Sequence, residues 1–198
     1  TAAEAGFVDP LHARRVAACR ELFEETGILV ARKPGGAFPA SSDALDRWRQ
    51  RLLTDEIPFD EVLGDLGLAI EPHDFVPIGE ITTPAFAQHR FATTFFVSHL
   101  PPGQEPSVTP GELERGEWAT ASGMVSRWRR GEVLLTPPSA LALEMLGDRP
   151  IDDAPALLAP EYQRLASGAI HPIFLAPHVQ LIPLRTVALP PSDHTNAY

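Results

Sequence analysis

Three glutamates, Glu21, Glu24 and Glu25, lie in a segment whose spacing of apolar residues predicts a helix over residues 10–26. Successive helical residues are about 100° apart, so the three carboxylates share one face and the apolar residues share the other. Like charges at this spacing repel one another. A hard divalent cation would offset that repulsion, because Mg²⁺ is held by a few carboxylates together with waters and phosphates. The pattern fits a metal site, and a solvated acidic helix face is the alternative.

The segments after this helix predict a layered α/β or α+β domain. Gly27 ends the helix, and a short buried strand is expected over residues 28–30. Two helical stretches follow before residue 67. The order then continues with strands over 75–83, 91–99 and 117–120 and helices over 122–130 and 139–146. Beyond residue 148 the chain is rich in proline, and we expect it to be irregular until a strand over 179–187.

The composition is that of a folded protein without broad affinity for nucleic acid. The 198 residues are 44% hydrophobic and 21% charged, which suits one domain with an insertion or a tail. A formal net charge of -10 argues against nucleic-acid binding, which depends on pairing many phosphates with Lys and Arg. No apolar run is long enough to cross a bilayer, so we expect a cytoplasmic protein without membrane contact. The single Cys19 excludes an internal disulfide and is expected in the core.

Residues 20–28 read R-E-L-F-E-E-T-G-I. This run resembles the second half of the Nudix box, R-E-U-x-E-E-x-G-U with U apolar, at every specified position. The resemblance implies a Nudix-type α/β/α sandwich with a mixed sheet. It also implies hydrolysis of a diphosphate linkage in a nucleoside diphosphate joined to another group, with Mg²⁺ or Mn²⁺ as cofactor. By this resemblance Glu24 and Glu25 are metal ligands, Glu21 is a further ligand or the base, and Arg20 orients a carboxylate.

The first half of the Nudix box matches this chain poorly. Counting back from Arg20, Gly6 fits the pattern, but the position of the glutamate holds His12. Either His12 replaces the carboxylate, or the true glycine loop and glutamate precede Thr1 and an insertion separates them from the helix. We favour the second explanation, because the N-terminal strands expected before the box are also missing from this chain. The alternative function is a catalytically impaired Nudix-fold module that binds nucleotides or regulates.

The family usually supplies another glutamate from a loop just before a tryptophan-containing strand, and residues 111–118 fit that arrangement. Glu112 is the first choice, as a metal ligand or as the group that activates water. Glu114 is the second choice and is placed on the substrate side. Arg90, at the entrance of a predicted strand, is a candidate cation for the charge that develops on phosphate. Solvent-exposed loop and strand-edge positions are the alternatives for all of them.

A helical insertion over about residues 32–73, within a Nudix domain over 1–148, resembles a narrower branch of the family. That branch includes the peroxisomal coenzyme A diphosphatase type, which also shares the pattern around 83–96 and 134–138. The resemblance implies coenzyme A or acyl-coenzyme A as a candidate substrate. Three arginines of the insertion could contact substrate phosphate, although alternating helical residues do not share a face; they are Arg47, Arg49 and Arg51.

Residues 149–198 form a proline-rich C-terminal extension, whose last 20 residues weakly resemble the opening strand of a metallo-β-lactamase-fold domain. No metal motif follows, so His194 is assigned to no metal. A third interpretation makes the Nudix domain the front end of a longer fused hydrolase. The expected partner is a small nucleotide-type substrate, with no nucleic acid and no membrane, and a homodimer is left open.

Overall fold

The computed structural model of the chain describes residues 10–82, 92–108, 115–166, 173–176, 179–189 and 192–197. The chain divides into two compact units. Unit 1 comprises Thr1–Val76 and Ser98–Glu117, and unit 2 comprises Pro77–Val97 and Trp118–Tyr198. Each unit has its own buried residues and is described by itself.

Unit 1 is built around the helix α1, Pro10–Thr26, as the apolar spacing predicts. It ends where predicted, at Gly27, whose φ of 74° is a left-handed conformation that favours glycine. The Gly27 N–H donates to the carbonyl oxygen of Phe23 at 2.9 Å, which closes the last turn. The buried side of α1 includes Cys19 and Phe23, both 0% exposed, so the prediction of a core cysteine is confirmed.

Two shorter helices follow in the predicted insertion, α2 over Asp43–Leu53 and α3 over Phe59–Leu66. Ser42 caps α2, since its hydroxyl accepts a hydrogen bond from the Leu45 N–H at 3.2 Å. The buried face of α2 carries residues four and three positions apart, as helical geometry requires; they are Leu45, Arg49 and Leu52. A 3-10 turn over Pro72–Asp74 then leads out of the unit.

The predicted strand over residues 28–30 is wrong, although these residues are buried. The amide of one glutamine takes the place of a neighbouring strand. Gln104 accepts from the Leu29 N–H at 2.8 Å and donates to the Leu29 carbonyl oxygen at 2.9 Å. Buried backbone groups need such partners, and a side chain 75 residues away supplies them here. A single antiparallel bridge, Arg32 with Ala69, follows this segment.

Unit 2 contains strand β1, Val76–Thr82, apart from its first residue, and strand β2, Ala92–Val97. The two strands form a two-stranded sheet. These strands confirm the predictions over 75–83 and 91–99 to within a few residues. Helices α4, Ala121–Arg129, and α5, Pro137–Leu146, also agree with the predicted helices. Arg127 and Arg129 lie in the last turn of α4, where positive charge favours the helix dipole.

Two predictions for unit 2 are wrong. Residues 117–120 are not a strand, because Thr120 caps α4 by accepting from the Gly123 N–H at 3.1 Å and Trp118 is 75% exposed. The region after residue 148 is not irregular, because it contains helix α6, Ala154–Ala166. Proline content misled the prediction. Pro160 lies inside α6, while residues spaced by four positions are buried along it; they are Ala154, Leu158 and Tyr162.

Tyr162 is the centre of the apolar packing in unit 2 and is fully buried. Its ring lies 5.1 Å from the ring of Phe95 between centroids, and its hydroxyl donates to the Pro138 carbonyl oxygen at 3.0 Å. Gly79 passes so close that a Cβ there would lie 2.2 Å from the Tyr162 Cβ. Burial raises the pKa of Tyr162 to about 12.

A second sheet in unit 2 has three antiparallel strands in the order β3-β4-β5. They span Ile173–Ala176, Val179–Leu189 and Ser192–Ala197, so the predicted strand over 179–187 is confirmed. In the described part of the chain, no helix has the length and apolar character that crossing a membrane demands.

Candidate active site

The acidic face of α1 is held by an internal ion pair. One guanidinium nitrogen of Arg20, Nη1, lies 3.1 and 3.2 Å from the two carboxylate oxygens of Glu24. Its other terminal nitrogen, Nη2, contacts a carboxylate oxygen of Glu21. Arg20 therefore joins two of the three predicted site glutamates. The Glu24 side chain is 19% exposed and that of Glu21 is 51% exposed, so the face opens toward solvent on the Glu21 side.

Glu24 and Glu25 lie in the last turn of α1, where the helix dipole is negative. Their negative charges therefore lie at the negative end of the helix dipole, which is unfavourable. That turn contains no basic residue. Within the described residues, the half-buried carboxylate of Glu25 has no hydrogen-bond or ion-pair partner. A cation at this end of the helix would relieve both the mutual repulsion and the unfavourable dipole.

Besides Arg20, which pairs with the Glu24 carboxylate, the described structure provides a second cation at this end, Arg49 of α2. Its Nε and Nη2 donate to the carbonyl oxygen of Glu24 at 3.1 and 2.8 Å. The last carbonyls of a helix lack partners within the helix, and Arg49 satisfies one of them. Burial lowers the pKa of Arg49 below its ordinary value, yet guanidinium remains charged in proteins.

Arg49 also reaches the loop after β2. Its Nη1 donates to the carbonyl oxygen and the hydroxyl of Ser107 at 3.0 and 3.1 Å. The Ser107 N–H in turn donates to the Thr26 carbonyl oxygen at 2.8 Å. A Cβ at Gly27 would lie 3.2 Å from both the Arg49 Nη1 and the Ser107 hydroxyl. The glycine of the box motif thus leaves room for this cross-link as well as adopting the turn.

For Arg49, the interpretation as a phosphate contact is wrong, because its side chain faces protein oxygens and the residue is 2% exposed. Arg51 forms an ion pair with Glu56 at 2.6 Å and lies over the Trp48 ring at 4.7 Å. The contact of Arg49 with the end of α1 was not predicted from the sequence. The available signal was its spacing, four residues after Leu45 and three before Leu52, on the apolar face of α2.

His12 lies in the first turn of α1 and is exposed. It precedes Glu21 by nine residues, which is about 13 Å along a helix axis at 1.5 Å per residue. His12 is too far along the helix to share one ion with the three glutamates. The structure therefore gives no support to a histidine that replaces the missing carboxylate.

The metal-binding set is incomplete within the described residues, where no group of three or more His, Cys, Asp or Glu side chains could hold an ion. Glu112, Glu114 and Arg90 lie outside the described residues. The carboxylates of α1 fit a hard cation in donor type, because Mg²⁺ takes one or two protein carboxylates and completes its shell with water and phosphate.

Cys19 has no part in this chemistry. Its thiol is buried and donates to the carbonyl oxygen of Val30 at 3.5 Å. Burial raises the pKa of Cys19 to about 12, so almost no thiolate is present near neutral pH.

Comparison with known proteins agrees with the box motif and the fold. A family model described as the NUDT19 Nudix domain matches residues 5–146. "Putative nudix hydrolase 7" of Caenorhabditis elegans is 26% identical over 146 residues, which cover 71% of this chain and 48% of the relative. The chain thus spans about half the length of that curated relative. The crystal structure of a NUDIX hydrolase from Alicyclobacillus acidocaldarius superposes with a TM-score of 0.59 and 25% identity, covering 71% of this chain and 72% of that one.

The structure is therefore an α/β fold of the Nudix class, carrying the acidic helix that defines the class. The chain belongs to the Nudix hydrolase family, within the group described by the NUDT19 Nudix domain.

Proposed function

We propose that this protein hydrolyses the diphosphate linkage of a nucleoside diphosphate joined to another group, with Mg²⁺ or Mn²⁺ bound at the carboxylates of α1. The main support for the proposal is the arrangement of carboxylates in the last turn of α1. Two carboxylates lie at the negative end of the helix dipole, and one of them, Glu25, has no hydrogen-bond or ion-pair partner within the described residues. Such a placement costs stability unless a cation occupies it.

Each residue of the helix has a distinct task in this proposal. Glu24 and Glu25 ligate the metal, and Glu21, the most exposed of the three, serves as a further ligand or as the base. Arg20 holds the carboxylates of Glu24 and Glu21 in place through its contacts with both. When bound, a divalent cation would lower the pKa of the attacking water and neutralise charge on the phosphate oxygens.

Three residues outside the described part of the chain complete the proposed site. Glu112 is assigned to metal binding or to activation of the water. Glu114 is placed on the substrate side, and Arg90 is the side chain that neutralises negative charge on the reacting phosphate. We assign the Nudix domain to residues 1–148, with the helical insertion over 32–73, and treat 149–198 as an extension.

Coenzyme A and acyl-coenzyme A are the proposed substrates, and hydrolysis would release a phosphopantetheine product and an adenosine diphosphate. The support is the match to the NUDT19 Nudix domain, together with the helical insertion between α1 and β1. Specificity depends on loops and insertions more than on the fold itself, so the substrate requires direct measurement.

The experiment is a hydrolysis assay of the purified protein against coenzyme A, acyl-coenzyme A, ADP-ribose, NADH and nucleoside triphosphates, with Mg²⁺, with Mn²⁺ and with EDTA. The variant Glu24→Gln/Glu25→Gln should lower metal-dependent hydrolysis by roughly a hundredfold or more, because it removes the ligand charges. The matched control is Asp60→Asn/Glu61→Gln, which removes two exposed carboxylates from the first turn of α3 and should leave the rate unchanged.

A rival function is nucleotide binding without hydrolysis, favoured by the absence of a complete three-residue metal cluster among the described residues. Under that function the wild type hydrolyses none of the substrates but binds one of them in calorimetry. Hydrolysis that persists in EDTA, or in the variant Glu24→Gln/Glu25→Gln, would contradict the proposal of metal-dependent hydrolysis.

A further inference from the structure

Arg49 occupies a position of α2 where an apolar residue would be expected. Leu45 and Leu52 flank it on the same helix face, and all three are buried. A charged side chain in such a position is costly unless its donors are satisfied. Among the described residues, Arg49 donates four hydrogen bonds, and they go to oxygen atoms of two residues, Glu24 and Ser107.

Carbonyl and hydroxyl oxygens, not carboxylates, accept these bonds in the described part of the chain. The positive charge of Arg49 is therefore directed at the negative end of the α1 dipole. It also lies at the turn that contains Glu24 and Glu25. Arg49 reduces the electrostatic cost of two carboxylates at this end of the helix. It does so without forming a direct ion pair with either carboxylate.

The planar guanidinium group also connects two segments that are far apart in the sequence. Glu24 is 25 residues from Arg49, and Ser107 is 58 residues away. Ser107 is bonded a second time, through its N–H to the Thr26 carbonyl oxygen. This contact holds Ser107 beside the turn that carries Glu24 and Glu25.

We infer that Arg49 is a positioning residue that fixes the turn carrying Glu24 and Glu25 against the backbone at Ser107, and that metal affinity depends on it. The inference rests on the proposed metal-dependent function. The inserted helix α2 then aligns the metal-binding carboxylates of α1 and does not bind the substrate phosphate. A metal ion needs its ligands held closely to the productive geometry, and rigid bidentate contacts supply that better than a flexible ammonium group.

The test measures Mn²⁺ binding without substrate, by electron paramagnetic resonance of the free ion, in the full chain. Arg49→Lys keeps the charge but loses the planar fork, and Arg49→Met keeps the length but loses the charge. Both should weaken Mn²⁺ binding by roughly ten- to a hundredfold, the range typical of groups that orient metal ligands. Arg49→Lys should lose less than Arg49→Met.

Two controls separate positioning from general stability. Arg47→Met removes an exposed arginine of the same helix and should leave Mn²⁺ affinity unchanged. Leu52→Val trims the same buried face and should lower the urea midpoint with less than a twofold change in Mn²⁺ affinity. If Arg49 were merely structural, Arg49→Met would behave like Leu52→Val: the urea midpoint would fall and the Mn²⁺ affinity would stay within twofold of the wild type.

Ser107→Ala tests the connection from the other side, since the Ser107 side chain is exposed and its loss should leave the fold intact. It removes one of the four bonds and should weaken Mn²⁺ binding by roughly two- to threefold. In the Arg49→Met background the same substitution should have no effect. Hydrogen exchange of the Ser107 amide should accelerate in Arg49→Met and not in Arg47→Met.

The outcomes are distinguishable. If the wild type binds Mn²⁺ and hydrolyses substrate but Arg49→Met binds Mn²⁺ equally well, the positioning role is overturned and the proposed function stands. If the wild type binds no Mn²⁺, the proposed function fails and the positioning role fails with it. Weaker binding in Arg49→Met, with unchanged binding in Arg47→Met, supports both.

Discussion

The two units hold their helices by different physical means. In unit 1, buried polar side chains connect helix and loop backbones that are distant in the sequence, as Arg49 does for Ser107 and Gln104 does for Leu29. In unit 2, the helix α6 is held by the ring of Tyr162, which packs on Phe95 and closely over Gly79. Polar contacts depend on direction, whereas apolar contacts depend mainly on volume.

This difference agrees with the proposed function. Under that proposal the carboxylates at the end of α1 need a defined direction, and directional bonds to the backbone of this turn would provide it. The packing of α6 needs only a filled interior. Substitutions in unit 1 should therefore disturb alignment as well as stability, while those in unit 2 should act on stability through volume and burial.

The largest effect is expected at Gly79. The substitution Gly79→Ala would place a Cβ 2.2 Å from the Tyr162 Cβ, at a φ of 152° that side chains rarely adopt. Backbone strain and overpacking together should lower the free energy of unfolding by about 4 kcal/mol, measured by urea denaturation. The control Gly64→Ala lies in α3 with no atom near its added Cβ and should raise stability by about 0.5 kcal/mol. A loss below about 1 kcal/mol for Gly79→Ala would contradict the close packing.

Gln104→Ala should have the next largest effect, because it leaves backbone groups of Leu29 and the Pro39 carbonyl without their partner. We expect a loss of about 3 kcal/mol. Labelling of Cys19 by iodoacetamide at pH 8 provides a local readout, since its thiol bonds the adjacent Val30 carbonyl oxygen. Labelling should accelerate in Gln104→Ala. The control Glu105→Ala changes an exposed side chain in the same segment and should alter the free energy of unfolding by less than about 0.5 kcal/mol. Equal labelling of Cys19 in both variants would contradict the role of Gln104.

The smallest effect is expected for Tyr162→Phe, and its size should depend on pH. Near pH 8 the variant loses the hydrogen bond to the Pro138 carbonyl oxygen, worth about 1 kcal/mol. The folded pKa of Tyr162 is raised from 10.0 to about 12, so its contribution is complete below pH 10 and is lost as pH rises toward 12. Phenylalanine does not titrate. The variant's deficit in urea midpoint should therefore shrink between pH 8 and pH 11, and a constant deficit would contradict the burial of the phenol.

Local patterns in the sequence predicted most of the helices. The apolar spacing and the terminal glycine predicted α1 to its last residue, and α2, α3, α4 and α5 were predicted in the same way. The strand over 28–30 was predicted wrongly because an apolar run does not reveal which group satisfies its backbone. Helix α6 was missed because Pro160 suggested irregular structure, although the helix packs its apolar positions around that proline.

The family, the acidic helix and its glutamates can be identified from the amino-acid sequence, because motif spacing and helical periodicity are local properties of the chain. The contacts at the end of that helix depend on the folded structure. The contacts of Arg49 with Glu24 and Ser107, and of Gln104 with Leu29, join residues 25 to 75 positions apart. Helical periodicity places Arg49 on the apolar face of α2. The carbonyl oxygens that accept its hydrogen bonds reach that face only in the folded chain.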